Sequence, residues 1–498
     1  MQARPSAAPR WAREIAGVGV AIALAIIVVG SVAASDRSEL LLRDGDSLLT
    51  TLFARSLEVG QAQDWAMSTV LFLPELAVFC VLWQLGAGVG TTLALSGIVN
   101  LVALYGAFRV AAGSHARARA PIAGALLGSV AFSLLAVLDT SASRDALELA
   151  SLQTTTTYYA ATVVGCALVV GLVRRALESA GWGAVVGVAV VGAASVLSNP
   201  LFAAWATVPL VIVVIVIARD RRAWIVVGAL VGGATLGALG RVPLAQFIAN
   251  TGAGYADPSQ WLASLDYYAL LFGERASSLP GVAALIVTAL LLAAGVVLTV
   301  RVTERGPRLV AMYSWVAPLL VLIGAVALGT HAARYLQPLA FAAALSVVVS
   351  PERVRIAVPR LAPVVAAGLL VVAAVAGIPR IAHAVSRPDA DLDCVTAWVD
   401  ASHRTGAGQF WTIRLPKAHV ADPRSLVQVD HRLHGYAWLV NRDDFAIGEV
   451  TFLVVDDQSY AFDLPDGITI ADARVVSCGR YSILDFGDLT VPLGPQRS

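Results

Sequence analysis

The carboxylates of Asp44 and Asp46 are separated by one residue. Of all residues in this chain, their types and spacing best suit acid–base or metal-binding chemistry. They follow the first long apolar run, in a chain where only 14% of the residues are charged. Acidic groups near a membrane are costly to keep and are often functional. One carboxylate could take the proton from a hydroxyl group, while its neighbour orients it or holds a divalent cation such as Mg²⁺ or Mn²⁺.

Local structure offers a second explanation of the same residues. The pair Asp44-Gly45 is typical of a turn, and Asp46 or Ser47 is a natural N-cap for a helix predicted at 47–59. Leucines gather on one side of that helix, as in an amphipathic helix at a membrane interface. Capping and proton transfer are compatible, so both interpretations stay open.

A second candidate group surrounds Arg334, which the topology below places on the outer face. Arginine is uncommon on that face, and this one lies beside Tyr335 and three residues from His331. A guanidinium presents paired donors that match a phosphate, and the histidine could add another. The alternative is an arginine that reaches lipid headgroups, with Tyr335 as an interfacial anchor.

Two further residues are candidates for lining a site. Glu75 lies near the external end of an apolar segment, where its carboxylate faces either a cavity or the membrane interface. Tyr158 follows the threonine run 154–157 and could contact a sugar, although an interfacial aromatic belt explains it equally. The stretch 430–434 contains Asp and His but lacks further ligands at a recognised spacing, so it does not favour a metal site.

Composition defines the class of protein that must position these residues. The chain has 498 residues, of which 58% are hydrophobic, and its mean hydropathy is +0.75. These values predict a polytopic membrane protein, an all-α bundle of transmembrane helices. The net charge of +1 argues against a nucleic acid as partner. Abundant Arg, Ala, Val and Gly point to a bacterial plasma membrane protein.

Apolar segments predict about eleven crossings. The stretch 70–110 is counted as one crossing, although its length admits two helices. The other segments are 15–35, 120–139, 157–177, 181–198, 200–218, 223–240, 279–300, 309–330, 333–350 and 361–380. Arginine clusters at 1–13, 109–119, 174–175, 219–222, 301–308 and 351–360 are then cytoplasmic. The N-terminus is therefore predicted inside, and the loops 36–69 and 241–278 of a membrane domain 1–380 outside.

The tail, residues 381–498, has the composition of a soluble domain and is predicted to be a small α/β domain outside the cytoplasm. Runs at 409–415, 450–455 and 473–485 alternate like strands. Cys394 and Cys478 lie near its two ends, and in an exported domain such a pair predicts a disulfide.

The layout resembles that of the GT-C superfamily of membrane glycosyltransferases, which use polyprenyl-phosphate sugars. The likeness covers most of the chain, but its sequence-specific parts are few: Asp44-Gly45-Asp46, Ser198-Asn199-Pro200-Leu201, and the run 331–338 with its Arg-Tyr followed by Pro. The resemblance implies a polyprenyl-phosphate sugar as donor. With the roles suggested by the residues, the predicted function is an inverting transfer to a lipid or glycan acceptor, with Asp44 or Asp46 as base. Asn199 stands where that family often has an acidic residue, which leaves metal dependence open.

Two other functions fit the same helix count. A transporter or lipid flippase usually carries ionisable residues at mid-membrane and paired halves, whereas the polar residues here collect at the outer surface. A non-catalytic cell-envelope protein would bind polymer or protein through its exported tail. In that case, loss of the tail would abolish function and a change of Asp46 would not.

Overall fold

A computed structural model describes residues 9–116, 118, 120–179, 181–352 and 362–497. Parts of three predicted arginine clusters lie outside the described residues: Arg4, Arg117, Arg119 and 353–360. The described chain divides into two compact units. The first unit consists of 1–38, 97–241 and 254–382, and the second of 39–96, 242–253 and 383–498. The second unit thus groups most of the first predicted external loop with the tail.

The first unit is helical. Its helices, some of which begin or end in the other unit, are α1 (Arg10–Ala33), α5 (Val89–Ala111), α6 (Pro121–Val137), α7 (Ala160–Glu178), α8 (Gly183–Ser198), α9 (Val208–Ile217), α10 (Arg221–Gly240), α11 (Trp261–Ala276), α12 (Leu279–Arg301), α13 (Arg305–Ala327), α14 (Pro338–Val348) and α15 (Ala362–Val385).

Length and composition make this a membrane-embedded protein. Among the described residues, six helices are long and apolar enough to cross a bilayer: α1, α5, α7, α10, α12 and α13. The number rises to seven if one bent helix pair counts as a single span. Shorter apolar helices occur at 73–83, 121–137, 183–198, 203–217 and 333–348. The stretch 70–110 contains a short helix and then α5, which is 23 residues long. The count of about eleven crossings stays a prediction.

Close helix packing in the first unit relies on small residues. A Cβ at Gly233 of α10 would lie 2.5 Å from the backbone oxygen of Ala189 on α8, and a Cβ at Gly237 would clash with the backbone oxygen of Ala193. Only glycine allows such an approach, as is typical of helix pairs in membranes.

The second unit contains the remaining elements. Its helices are α2 (Ser38–Leu42), α3 (Leu49–Glu58), α4 (Leu73–Trp83), α16 (Ala390–Ser402) and α17 (Phe410–His419). Its strands are β1 (Trp65–Ala66), β2 (Gly406–Gln409), β3 (Leu426–Val429), β4 (His434–Tyr436), β5 (Val440–Asn441), β6 (Glu449–Val450), β7 (Phe452–Val455), β8 (Arg474–Cys478), β9 (Tyr481–Asp485), β10 (Val491–Pro492) and β11 (Gly494–Arg497).

A seven-stranded sheet organises the described tail, in the order β11-β4-β3-β2-β7-β9-β8. The central strands β3, β2 and β7 are parallel, and β8 and β9 form an antiparallel hairpin. The core on this sheet includes Ala407, Val427, Val429, Leu453 and Leu484. The prediction of a small α/β region at the C-terminus is therefore confirmed.

The first predicted external loop is joined to the tail by a short ladder within the second unit. In it, β1 pairs antiparallel with β5, with Trp65 opposite Asn441. The Asn441 side chain also donates to the carbonyl of Ala62 at 2.6 Å. These bonds fix the chain that follows α3 against the tail.

Two sequence predictions in this unit need correction. Residues 410–415 were expected within a strand but lie in the helix α17. Because residues on both sides of this helix are buried, its sequence lacks the alternation of apolar and polar residues typical of a helix. The helix expected at an interface forms as α3, but Leu49 and Leu52 are buried by protein because α3 packs against α4 and α17. The strands predicted at 450–455 and 473–485 are present as β6 to β9.

The predicted disulfide is present in the structure. Cys394 of α16 is bonded to Cys478 at the end of β8, with a Cα–Cα distance of 5.4 Å. The bond ties the helix that begins the tail to the edge strand of the sheet.

Candidate functional site

The acidic pair lies in a turn that Asp44 itself holds closed. Its Oδ1 accepts the backbone N–H groups of Asp46 at 3.1 Å and Ser47 at 3.2 Å. The Ser47 hydroxyl donates to the carbonyl of Leu40 at 2.7 Å. The residue at the N-cap of α3 is Leu48, which makes no side-chain cap. The local structural role expected of Asp46 or Ser47 therefore belongs mainly to Asp44.

Gly45 brings this turn against the first turn of α17. A Cβ at this position would lie 3.0 Å from the indole ring of Trp411 and 3.1 Å from the ring of Phe410. These distances are tighter than most side-chain contacts, so a larger residue would push the turn away from the helix. The two aromatic rings thus set the position of the acidic pair.

Arg414, one turn further along α17, supplies a positive charge at the acidic turn. Its side chain is fully buried, and its Nε donates to the carbonyl of Gly45 at 2.6 Å. Its Nη1 donates to the carbonyl of Leu439 at 2.6 Å and to Oε1 of Gln428 at 3.1 Å. The guanidinium also lies over the Phe410 ring, 4.7 Å from its centroid. It therefore links the turn to the sheet of the tail.

The electrostatics of this site couple Arg414 to the acidic pair. Burial lowers the pKa of Arg414 to about 10, and the carboxylates of Asp46, Asp44 and Asp444 oppose that lowering. The group is therefore still a cation at neutral pH. Burial also raises the pKa of Tyr436, and the charge of Asp46 raises it further. The carboxylate of Asp46 thus acts on both a guanidinium and a phenol.

The accessibility of the pair suits proton transfer. Asp44 and Asp46 are both half-buried, whereas Arg414 is closed off from solvent. A guanidinium beside a carboxylate favours its ionised form, which is the form that accepts a proton. The Oδ1 atom of Asp44 closes the turn through two backbone N–H groups, and Asp46 has the stronger electrostatic effect on Arg414. Asp46 is therefore the first candidate base.

The sequence also suggests the acidic turn as a place for a divalent cation. Within the described ranges, no three His, Cys, Asp or Glu side chains gather closely enough to hold a metal ion. The structure shows one positive charge that acts on Asp44 and Asp46, that of Arg414, and metal dependence stays an open prediction.

Arg334 lies in the first unit, in the single turn Ala333–Leu336 that precedes α14. It is half-buried. Its Nε donates to the hydroxyl of Tyr159 at 3.1 Å, and its Cζ lies 5.9 Å from the centroid of the Tyr335 ring. The ring of His331, which is exposed, lies edge-on to that of Tyr267 at 5.4 Å. The arginine is therefore held in place by phenol groups.

The two remaining candidate residues occupy different units. Tyr158, in the first unit, is 1% exposed and accepts a hydrogen bond from Gln337 through its backbone carbonyl. The hydroxyl of its neighbour Tyr159 accepts the hydrogen bond from Arg334. Glu75, in the second unit, lies in the first turn of α4 and is 6% exposed. Of the predicted residues, Asp44, Asp46 and Glu75 thus belong to the second unit, and Tyr158, His331, Arg334 and Tyr335 to the first.

A buried cluster of four charges in the first unit was missed by sequence reasoning. Arg275 of α11 donates to Asp139 at 2.6 Å and to Glu148 at 2.5 Å. Arg37 donates to the carbonyl of Glu148 at 2.6 Å and lies 3.9 Å from its carboxylate. All four side chains are nearly inaccessible. The available signal was a set of single charges beside the ends of apolar segments.

Arg414 was also missed, although it is an arginine inside an otherwise apolar run of the tail. No family model matches this chain, and a search of curated proteins finds none similar to it.

Proposed function

We propose that this protein is a membrane glycosyltransferase that moves a sugar from a polyprenyl-phosphate donor to a lipid or glycan acceptor outside the cytoplasm. The observation that carries the proposal is the partly exposed Asp46 carboxylate, on a turn held by the buried guanidinium of Arg414. An ionised, oriented carboxylate is what a general base requires.

The proposed reaction is a single displacement with inversion. Asp46 takes the proton from the acceptor hydroxyl as its oxygen attacks the anomeric carbon of the donor. The bond from that carbon to the phosphate oxygen breaks, and polyprenyl phosphate leaves with the electron pair. Asp44 holds the turn through the backbone N–H groups of Asp46 and Ser47.

The proposed donor phosphate site is Arg334. A guanidinium offers a phosphate two parallel donors, and the hydroxyl of Tyr159 and the ring of Tyr335 fix its orientation. His331 would add a donor from the same segment. This assignment gives Arg334, His331 and Tyr335 the role that their donor groups suggested in the sequence.

The proposed topology has about eleven crossings, with the N-terminus in the cytoplasm of a bacterium and the tail outside. It is supported by the long and shorter apolar helices taken together and by the Cys394–Cys478 bond, since disulfides persist in oxidising compartments. A reporter fused after Ser498 that works only outside the cytoplasm should be active. Activity of a reporter restricted to the cytoplasm would contradict this topology.

The test of function is Asp46→Asn, assayed in membranes with a polyprenyl-phosphate sugar. Removal of a general base commonly costs about a hundredfold to ten-thousandfold in rate. Asp64→Asn is the matched control, because Asp64 is an exposed carboxylate of the same unit that pairs with Arg442. Parental transfer by Asp46→Asn would overturn the proposal and favour a binding protein or a transporter.

A further inference from the structure

Two cations of α17 are buried, and their surroundings differ. Lys417 donates to the carbonyls of Pro423 and Leu426, each at 2.7 Å, and pairs with Asp444 at 2.9 Å. All three partners belong to the tail, so Lys417 is held entirely by the domain in which it lies. It has the contacts expected of a structural ion pair.

Arg414 is bonded differently. Its Nε donates a hydrogen bond to the carbonyl of Gly45, which lies 369 positions earlier in the sequence. In the part of the chain that the structure describes, its Nη2 atom is buried and has no hydrogen-bond acceptor. Buried polar atoms are almost always paired, so an arginine kept with one unpaired nitrogen is poorly explained by stability alone.

Charge offers the missing explanation. The carboxylates that act on Arg414 are Asp46 and Asp44 of the acidic turn and Asp444 of the tail. Asp444 already pairs with Lys417 and accepts from Gln61. The acidic turn is therefore the group whose charge chiefly balances Arg414.

We infer that Arg414 is a positioning residue, which acts through Asp46 by holding the Gly45 carbonyl and the carboxylates of the turn where acceptor deprotonation requires them. This inference rests on the proposed function. It makes the tail part of the machinery of transfer, since α17 carries the arginine and the two rings that contact Gly45.

The first test compares Arg414→Met with Lys417→Met in kcat, in KM for the acceptor and in thermal unfolding. Methionine keeps much of the volume of arginine and removes its bonds to the turn. We expect Arg414→Met to lower kcat about a hundredfold, the effect of a small misplacement of a reacting group, with little change in KM. Lys417→Met should lower the unfolding midpoint while the folded enzyme keeps its kcat.

Arg414→Lys covers the case in which the methionine variant does not fold. A lysine keeps the charge, but a single nitrogen cannot donate as a fork to the carbonyls of Gly45 and Leu439. We expect its kcat to lie between those of the parent and the methionine variant. A parental kcat in every folded Arg414 variant overturns the inference.

The second test repeats the Arg414 substitutions in the Asp46→Asn background. If Arg414 acts through Asp46, they should lower the residual rate by less than twofold, because residues that act as a unit are not additive. A full, independent loss in that background overturns the positioning role. Parental transfer by Asp46→Asn alone overturns the proposed function, whereas an inactive Asp46→Asn beside fully active Arg414 variants overturns only this inference.

Discussion

Both units bury arginine beside carboxylates, but they do so differently. In the first unit, Arg37 and Arg275 face Asp139 and Glu148, and no side chain of the four is more than 7% exposed. In the second unit Arg414 is equally buried, but the aspartates of its turn, Asp44 and Asp46, are partly exposed.

The difference separates charges used to hold the fold from charges available to a substrate. In the first cluster two cations meet two anions, and Arg37 also donates to Ser151 and to the carbonyls of Ser141 and Ser143. A hydroxyl group of a substrate would find no open carboxylate there. At the turn, Asp44 closes the backbone, and Asp46 is partly exposed and acts electrostatically on the fixed Arg414.

The largest effect on stability is expected from breaking the buried cluster. Arg275→Met should destabilise the protein by about 3–5 kcal/mol, because it leaves Asp139 and Glu148 without a buried partner. The measurement is the thermal midpoint in detergent. The control is Arg305→Met, which removes an exposed ion pair with Asp220 and should cost at most about 1 kcal/mol. Equal midpoints in the two variants would mean that the cluster is not structural.

The next largest effect on stability is expected from removing the disulfide of the second unit. Replacing Cys394 and Cys478 by serine should cost about 2–4 kcal/mol, because the bond closes a loop with a sequence separation of 84. Reductant should lower the midpoint of the parent to that of the double variant and leave the double variant unchanged. A parent insensitive to reductant would argue against this bond.

A smaller loss is expected for Arg334→Lys, which keeps the charge of the proposed phosphate site. We expect about a tenfold loss of transfer, the equivalent of one charge-assisted hydrogen bond of about 1.5 kcal/mol. Arg222→Lys serves as control, because Arg222 also lies over an aromatic ring, that of Trp182, in a cluster predicted to be cytoplasmic. Parental transfer by the Arg334 variant would favour an arginine that reaches lipid headgroups.

Much of the fold was predictable because its signals are local. Long apolar runs gave helices close to the predicted bounds, such as α12 and α13. The paired cysteines followed from their positions near the two ends of the tail, and the strands within 473–485 followed from alternation. The helix α17 was mistaken for a strand because burial on all sides removes the periodic pattern on which the prediction depends.

The site was predictable only in part, because its bonds are not local. The acidic pair could be chosen from residue types alone, but its partner Arg414 lies 369 positions away. Likewise, Arg275 lies 136 positions from Asp139 and 127 from Glu148. A pattern within a single segment cannot predict which distant residue will form the ion pair or hydrogen bond.

The smallest effect should come from Asp44, whose carboxylate closes the turn. Asp44→Ala should cost about 1 kcal/mol, as the loss of a capping side chain does, while Asp44→Asn, which keeps an acceptor oxygen, should cost little. Thermal midpoints of the two variants give the answer. A transfer rate in Asp44→Asn as low as that of Asp46→Asn would move the role of base toward Asp44.

The most direct measurement pairs Asp46→Asn with Asp139→Asn and records both transfer rate and thermal midpoint for each. If the two regions divide chemistry from structure, Asp46→Asn should lose about a hundredfold or more in rate at an unchanged midpoint. Asp139→Asn should lower the midpoint, because Arg275 loses an anionic partner, while its folded fraction keeps the parental rate. A parental rate in Asp46→Asn, or the same loss of stability in both variants, would contradict that division.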